Sequence, residues 1–175
     1  LAVVQPNAAW ADRLIATLVA ALQEVTGVSR VVMNGTGRAR SLEGLEDRTE
    51  MVLGSVPRGP VPVPMNGAIY MADVMGGQKT GLFFEQRENH AFVANLANDA
   101  RVLDVFAHVG GFGLAALANG AKSGLAVDGS EPALTLATQG ALEMGAAERF
   151  ATRQGDAFET LAALGEEGEL FDVVI

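Results

Sequence analysis

Residues 101–120 read RVLDVFAHVGGFGLAALANG. An apolar run closed by an acid (Val102, Leu103, Asp104, Val105, Phe106) leads into a glycine-rich turn (Gly110, Gly111, Gly113). An alanine-rich apolar segment follows from Leu114. That order predicts strand, tight turn and helix, the place in an open α/β sheet where a nucleotide-like ligand sits. Glycine lets the backbone approach such a ligand and take positive φ without a Cβ clash. The helix that follows begins with unpaired N–H groups.

The glycines alone do not name the ligand, because residues 111–116, GFGLAA, also fit the dinucleotide pattern G-x-G-x-x-A. Asp104 separates the readings. A pyrophosphate is repelled by a carboxylate just before the turn, whereas S-adenosylmethionine (SAM) carries no phosphate and bears cationic sulfonium and ammonium groups. Two further acids follow short apolar runs. Asp128 closes KSGLAVD at 122–128, placed to accept the ribose hydroxyls of either ligand, and Asp156 closes RQGDA at 153–157, placed to accept an adenine amino group. Asp104 and Asp156 also suit plain turn-forming or N-cap roles. Three acids after three successive strands favour SAM over a nicotinamide dinucleotide, which stays as an oxidoreductase alternative.

Downstream of the turn, the pattern predicts helix 112–119, strand 122–127, helix 131–143, a strand near 148–152, helix 157–164 and strand 170–175. Such alternation argues for a parallel, doubly wound sheet. The final apolar strand, FDVVI, is the fourth, and a sheet stopping there reads as a fragment. A short non-catalytic interaction module, dimerising through that last strand, is the alternative from another class.

Upstream, residues 1–5 form a short apolar strand and 8–25 a helix whose Trp10, Leu14, Leu18, Ala21, Leu22 and Val25 share one face, expected to be buried. Residues 29–33 read as a strand and 34–37, NGTG, as a turn. Arg38 and Arg40 form a small basic spot, in contact with RNA or solvated. Residues 51–53 suggest another strand. Pro60, Pro62 and Pro64 alternate, so an extended chain there would lack N–H groups along one side and form an edge strand. Asn66-Gly67 is a hairpin turn signal, with 68–74 returning. Residues 1–74 thus read as a compact α+β unit. A second glycine-rich loop, GGQKTG at 76–81, is not a Walker A sequence. Its Gln78, Lys79 and Thr80 can meet a carboxylate or a phosphate. Residues 85–98 have helical character, with Phe92, Val93 and Leu96 expected inward.

The 175 residues carry a net charge of −9, unevenly spread. Residues 1–90 hold eight Lys/Arg against nine Asp/Glu, and residues 91–175 four against twelve. The acidic half repels a phosphate backbone, so RNA contact is expected from the first half or from other segments. There is no cysteine, which excludes disulfides, cysteine–zinc sites and a thiol nucleophile here. His90 and His108, the two histidines, are too few for a histidine-rich metal site. No apolar run is long enough to span a bilayer. The first residues lack a signal-peptide layout, so a cytoplasmic location and no membrane partner are expected.

Several stretches together resemble the large-subunit rRNA methyltransferase I family, SAM-dependent enzymes that methylate C5 of a cytosine in ribosomal RNA. They are Asn66-Gly67, the run GQKTGLFFEQREN at 77–89, LDVF at 103–106 with GGFG at 110–113, VDGS at 127–130, and FDVVI at 171–175. The resemblance implies a central α+β domain over 1–72. The first part of a Rossmann-like class I SAM methyltransferase sheet would fill 73–175. It implies a SAM pocket from Asp104, Phe106, Gly110, Gly111, Phe112 and Gly113, with Asp128, Gly129 and Ser130 at the ribose and Asp156 and Ala157 by the adenine. Gln78, Lys79 and Thr80, with Arg87, would line the methionine end or the RNA entrance. His90 stands where the family usually has arginine, and His108 where it usually has tyrosine. The resemblance also implies three parts outside this stretch: an N-terminal PUA-type RNA-binding domain, a D-P-P loop after Ile175, and a later segment with the catalytic cysteine. Ribosomal RNA would be the partner of the full-length protein, with a homodimer possible.

Overall fold

The computed structural model describes residues 1–76 and 81–175. By backbone contacts the chain divides into two units, Leu1–Gly59 with the described residues of Asp73–Gly81, and Pro60–Ala72 with Leu82–Ile175. The division differs from one drawn at residue 72, because the hairpin 60–72 packs with helices of the second unit.

In the first unit, β1 (Ala2–Val4) runs parallel to β2 (Val31–Gly35), and β3 (Arg48–Leu53) pairs antiparallel on the other side of β2. Parallel neighbours need a long crossover, here α1 (Ala9–Arg13) and α2 (Ile15–Thr26). The single helix expected over 8–25 is broken at Leu14 (φ −97°, ψ 10°). The expected buried face is the wrong one. Trp10, Leu14, Leu18, Ala21 and Val25 are exposed; of the expected face only Leu22 turns inward, beside Ile15 and Val19. Apolar residues occupy both stripes of LIATLVAALQEV, so periodicity cannot choose between them. Gly27 ends α2 in the left-handed conformation (φ 70°), its amide donating to the Gln23 carbonyl.

The turn expected at 34–37 begins later than the pattern suggested, because Asn34 and Gly35 still belong to β2. A Cβ on Gly35 would lie 2.8 Å from the Arg48 carbonyl oxygen, so only glycine fits this close pairing. Arg40, on α3 (Arg38–Leu42), is neither solvated nor placed to meet RNA. It is 1% exposed. Its guanidinium donates to the Pro6 carbonyl (2.6 Å), to Asp12 Oδ1 (2.9 Å) and twice to the Glu46 carbonyl. Arg48 adds a second contact to Asp12, whose carboxyl is held below its ordinary range chiefly by the Arg40 hydrogen bond.

The second unit opens with the hairpin of β4 (Val61–Met65) and β5 (Ala68–Ala72). Asn66 (φ 53°) and Gly67 (φ 77°) both take left-handed turn positions, as their pairing predicted. Among the described residues β4 has a single neighbour, as its alternating prolines require. After α4 (Arg87–Leu96) come β6 (Arg101–Val105), α5 (Gly111–Ala118), β7 (Ser123–Asp128), α6 (Glu131–Glu143), β8 (Phe150–Gln154), α7 (Ala157–Glu166) and β9 (Val173–Val174). The four strands form one parallel sheet in the order β8-β7-β6-β9.

Helix α5 is apolar all round and buried from Gly113 to Leu117, as a central helix must be. Its Ala116 and Leu117 pack with Val102, Ala97 and Ala121. Leu103, Val127 and Leu164 form a separate cluster. Helix α4 also departs from expectation. Phe92 and Leu96 are exposed and Val93 half-buried, while His90 and Ala94 face inward.

Candidate functional site

The chain passes from β6 through α5 to β7 and through α6 to β8, then returns by α7 to β9 on the far side of β6. The switch point of the sheet therefore lies at β6, where ligands of open α/β sheets bind beyond the strands' carboxyl ends. The loop leaving β6 there is held unusually. Phe106 (φ 59°), His108 (φ 50°) and Gly110 (φ 79°) are all left-handed. The two non-glycine residues each carry strain of about 1–2 kcal/mol.

Two carboxylates hold this strained loop. The amide of Gly113 donates to Asp104 Oδ2 at 2.8 Å, and the amide of His108 donates to Asp128 Oδ2 at 2.8 Å. Asp128 Oδ1 accepts the Ser130 amide at 2.8 Å, so its carboxylate is oriented on both oxygens while remaining half-exposed. Asp104 is different. It is 1% exposed, lies beneath the loop, and its Oδ1 is buried without a hydrogen-bond partner among the described residues. Burial pushes its carboxyl up to about 6, against the lowering effect of the Gly113 and Phe112 amides and with a small further push from Asp128.

Ser130 caps α6, its hydroxyl accepting from the Ala133 amide. A Cβ on Gly129 would stand 4.0 Å from the Gly155 carbonyl oxygen, an ordinary contact, and the Gly129 carbonyl accepts from the Gln154 side chain (3.3 Å). Asp156 takes the N-cap position of α7, its Oδ1 accepting from the Phe158 and Glu159 amides, and Ala157 is buried behind it. Asp104, Asp128 and Asp156 thus stand at or just past the carboxyl ends of three adjacent parallel strands, a row roughly 10 Å across. Phe106 and Phe158, at the two ends of that row, are 69% and 76% exposed and meet edge to face with centroids 6.4 Å apart. Exposed aromatic pairs of this kind leave a π face for a planar ligand. Phe158 follows Asp156 by two residues, and an aromatic so close after a strand-end acid was the signal the sequence reading passed over.

Beside the loop is a pocket of about 190 Å³ between β5, residues 82–90 and residues 106–112. Its walls are Tyr70, Phe83, His90, Phe106, His108 and Phe112, and Gln86 adds an amide. Among the described lining residues none is Asp, Glu, Lys or Arg. Burial lowers both histidines, so the imidazoles are held neutral. His108 stands edge-on to Phe83 (5.0 Å), and His90 edge-on to Phe112 (4.5 Å). Tyr70, Phe83, Gln86 and the histidines were not anticipated here, because the hairpin that carries Tyr70 reads as part of another domain. Gly110, Gly111, Phe112 and Gly113 fall where expected, at the loop and the first turn of α5. Arg87 does not line this pocket. It borders a separate open groove with Phe84 and residues 63–67, and its carbonyl accepts from Asn66 Nδ2 at 2.7 Å. Gln78, Lys79 and Thr80 lie outside the described residues. The described residues contain no cluster of His, Cys, Asp and Glu able to hold a metal, and no helix long and apolar enough to cross a membrane.

Comparison with known proteins agrees with this architecture. The chain is 38% identical over 163 residues to ribosomal RNA large subunit methyltransferase I of Tolumonas auensis, covering 90% of this chain and 40% of that protein. It is 31% identical over 177 residues to the protein of the same name from Klebsiella pneumoniae strain 342, covering 99% of this chain and 44% of the relative. It therefore spans less than half the length of these relatives. A SAM-dependent methyltransferase from Agrobacterium tumefaciens superposes with a TM-score of 0.68 at 18% identity, over 87% of this chain and 47% of that one. The shared fold is the Rossmann-like class I methyltransferase fold. A family model described as "Conserved hypothetical protein 95" matches residues 83–175, more than half of the chain, and the protein belongs to that family.

Proposed function

We propose that this chain holds the cofactor of a SAM-dependent RNA methyltransferase whose target is C5 of a ribosomal cytosine. The observation that carries this reading is the strained loop fixed by Asp104 beneath it and Asp128 beside it, with Asp156 and the Phe106–Phe158 pair continuing the row. Their chemistry fits SAM. Asp128 keeps an oriented, half-exposed carboxylate for ribose hydroxyls, Asp156 and Ala157 flank the place of an adenine, and the aromatic pair offers it a face. Gly129 follows Asp128 at the proposed ribose, and Ser130 steadies Asp128 through its amide. The same geometry argues against a dinucleotide. A pyrophosphate needs free N–H groups at the start of α5, but the Gly113 amide is already committed to the buried Asp104 carboxylate, which repels phosphate.

Bound SAM would supply an electrophilic methyl group. The residues here orient it and keep water from its reactive end, since the pocket beside the loop is walled by aromatic side chains and neutral imidazoles. Cytosine C5 is too weak a nucleophile to be methylated unaided. It needs a thiolate adding at C6, followed by a base that removes the C5 proton. None of the 175 residues is cysteine, so that step belongs to another segment of the full-length protein. Gln78, Lys79 and Thr80 are proposed for the methionine carboxylate or the RNA entrance, with Arg87 on the RNA side. The unit of β1, β2 and β3 is proposed as the central α+β domain of the rRNA enzymes, in a cytoplasmic protein.

Calorimetric titration of the chain with S-adenosylhomocysteine (SAH) and, separately, with NAD tests the cofactor. SAH binding without NAD binding is expected. The reverse result would overturn the proposal.

A further inference from the structure

We propose that Tyr70 and His90 are positioning residues for the glycine loop, so that the hairpin of β4 and β5 works as part of the cofactor site. Tyr70 sits on β5 with no solvent exposure, and its hydroxyl donates to the Gly111 carbonyl at 3.1 Å. Gly111 is the first residue of α5, directly after the left-handed Gly110. The bond therefore fixes the corner at which the strained loop becomes a helix.

His90 braces the same corner from α4. It is 5% exposed, lies near-parallel to Tyr70 (centroids 6.1 Å, 28°), and meets Phe112 edge-on at 4.5 Å. Its imidazole presses on Gly111 so closely that a Cβ there would fall 2.7 Å from Nε2. The Nδ1 atom is buried without a hydrogen-bond partner among the described residues, and the contacts described for the ring are those of shape and packing. The hairpin is itself tied to α4, through Asn66 Nδ2 and the Arg87 carbonyl. It is also pressed on α6, where a Cβ on Gly140 would lie 2.6 Å from the Ile69 carbonyl oxygen. Tyr70 thus acts from a braced support. A strained loop needs such external determination to keep one conformation.

The ligand side of this inference rests on the proposed SAM reading, and the test separates the two. Tyr70→Phe removes one hydroxyl and keeps the packing. Amide hydrogen exchange of the ligand-free chain is expected to rise at least tenfold at His108 and Gly113, with Ala126 in the centre of β7 unchanged. The Kd for SAH should rise three- to tenfold. His90→Ala should reproduce both effects and His90→Phe, which restores a ring, should reverse them. Unchanged exchange at His108 and Gly113 in Tyr70→Phe overturns the assignment. Faster exchange with unaltered SAH affinity overturns it too, since the clamp would then serve no ligand. If the unaltered chain fails to bind SAH while exchange rises as expected, the cofactor reading falls and the loop-positioning assignment stands.

Discussion

Asp104 and Asp128 occupy the carboxyl ends of neighbouring parallel strands and grip the same loop from two sides, one through the Gly113 amide and the other through the His108 amide. The pair divides the work by burial. Asp104 is sealed beneath the loop and determines its shape, while Asp128 keeps surface for a ligand. Asp128→Ala removes two oriented acceptors and the proposed ribose ligand together. SAM affinity is expected to fall by about 1–3 kcal/mol, read by calorimetry. An unchanged Kd would remove Asp128 from the cofactor site.

Asp104 gives a pH signature. Its carboxyl is raised from 3.8 to about 6 in the folded chain, so between those values the native state holds a proton that the unfolded state has released. By linkage, this group lowers stability as pH rises from 3.8 through 6, by roughly 3 kcal/mol when fully ionised. His90 and His108 are shifted downward by burial, so they act oppositely, withdrawing stability as pH falls below 6.5. Asp104→Asn keeps an oxygen for the Gly113 amide and removes the buried charge. Urea unfolding should find the variant gaining stability over the parent at pH 8 and losing most of that advantage by pH 4.5. An equal difference at both pH values would contradict the buried ionisation.

How much of this was legible in the sequence depended on whether one pattern had one physical solution. The strand–turn–helix at residues 101–120, the alternating helices and strands after it, and the Asn66-Gly67 turn were readable because each periodicity or φ requirement admits a single structure. Helix α2 was not, because apolar residues fill two adjacent stripes and the break at Leu14 sets the phase. Phe92 and Leu96 misled in the same way. The hairpin's allegiance was hidden as well. Nothing in VPVPMNGAIYMA says that Ile69 packs on α6 or that Tyr70 reaches Gly111 from across 41 residues. Asp104 was readable as an acid at the turn, but its burial follows only from the helix folded over it.

Arg40 offers a test in the first unit. Its charge is out of water and its donors reach the Asp12 carboxylate and two carbonyls. Arg40→Ala strands these acceptors and should destabilise the chain by about 3–5 kcal/mol. Arg40→Lys keeps the charge but not the planar fork, and cannot reach Asp12, Pro6 and Glu46 at once. Denaturant melting should therefore find the lysine variant well short of the parent. Full stability of Arg40→Lys would mean that charge alone, without the fork geometry, suffices.

Two glycines on helices make opposite predictions from the same substitution. On α6, Gly140 faces β5 so closely that a Cβ would stand 2.6 Å from the Ile69 carbonyl oxygen and 2.9 Å from Leu114 Cδ1. The leucine methyl can swing aside, but the backbone oxygen cannot unless the hairpin moves. Gly140→Ala should cost about 1–3 kcal/mol by overpacking, and should displace Tyr70 from Gly111 as the strand shifts. Gly165 lies on α7 with nothing within 4 Å of a Cβ, so Gly165→Ala should add about 0.5–1 kcal/mol through helix propensity. Thermal melting of the two variants should move in opposite directions, with SAH affinity lowered only in Gly140→Ala. If both substitutions stabilise the chain, the close seating of the hairpin on α6 is wrong.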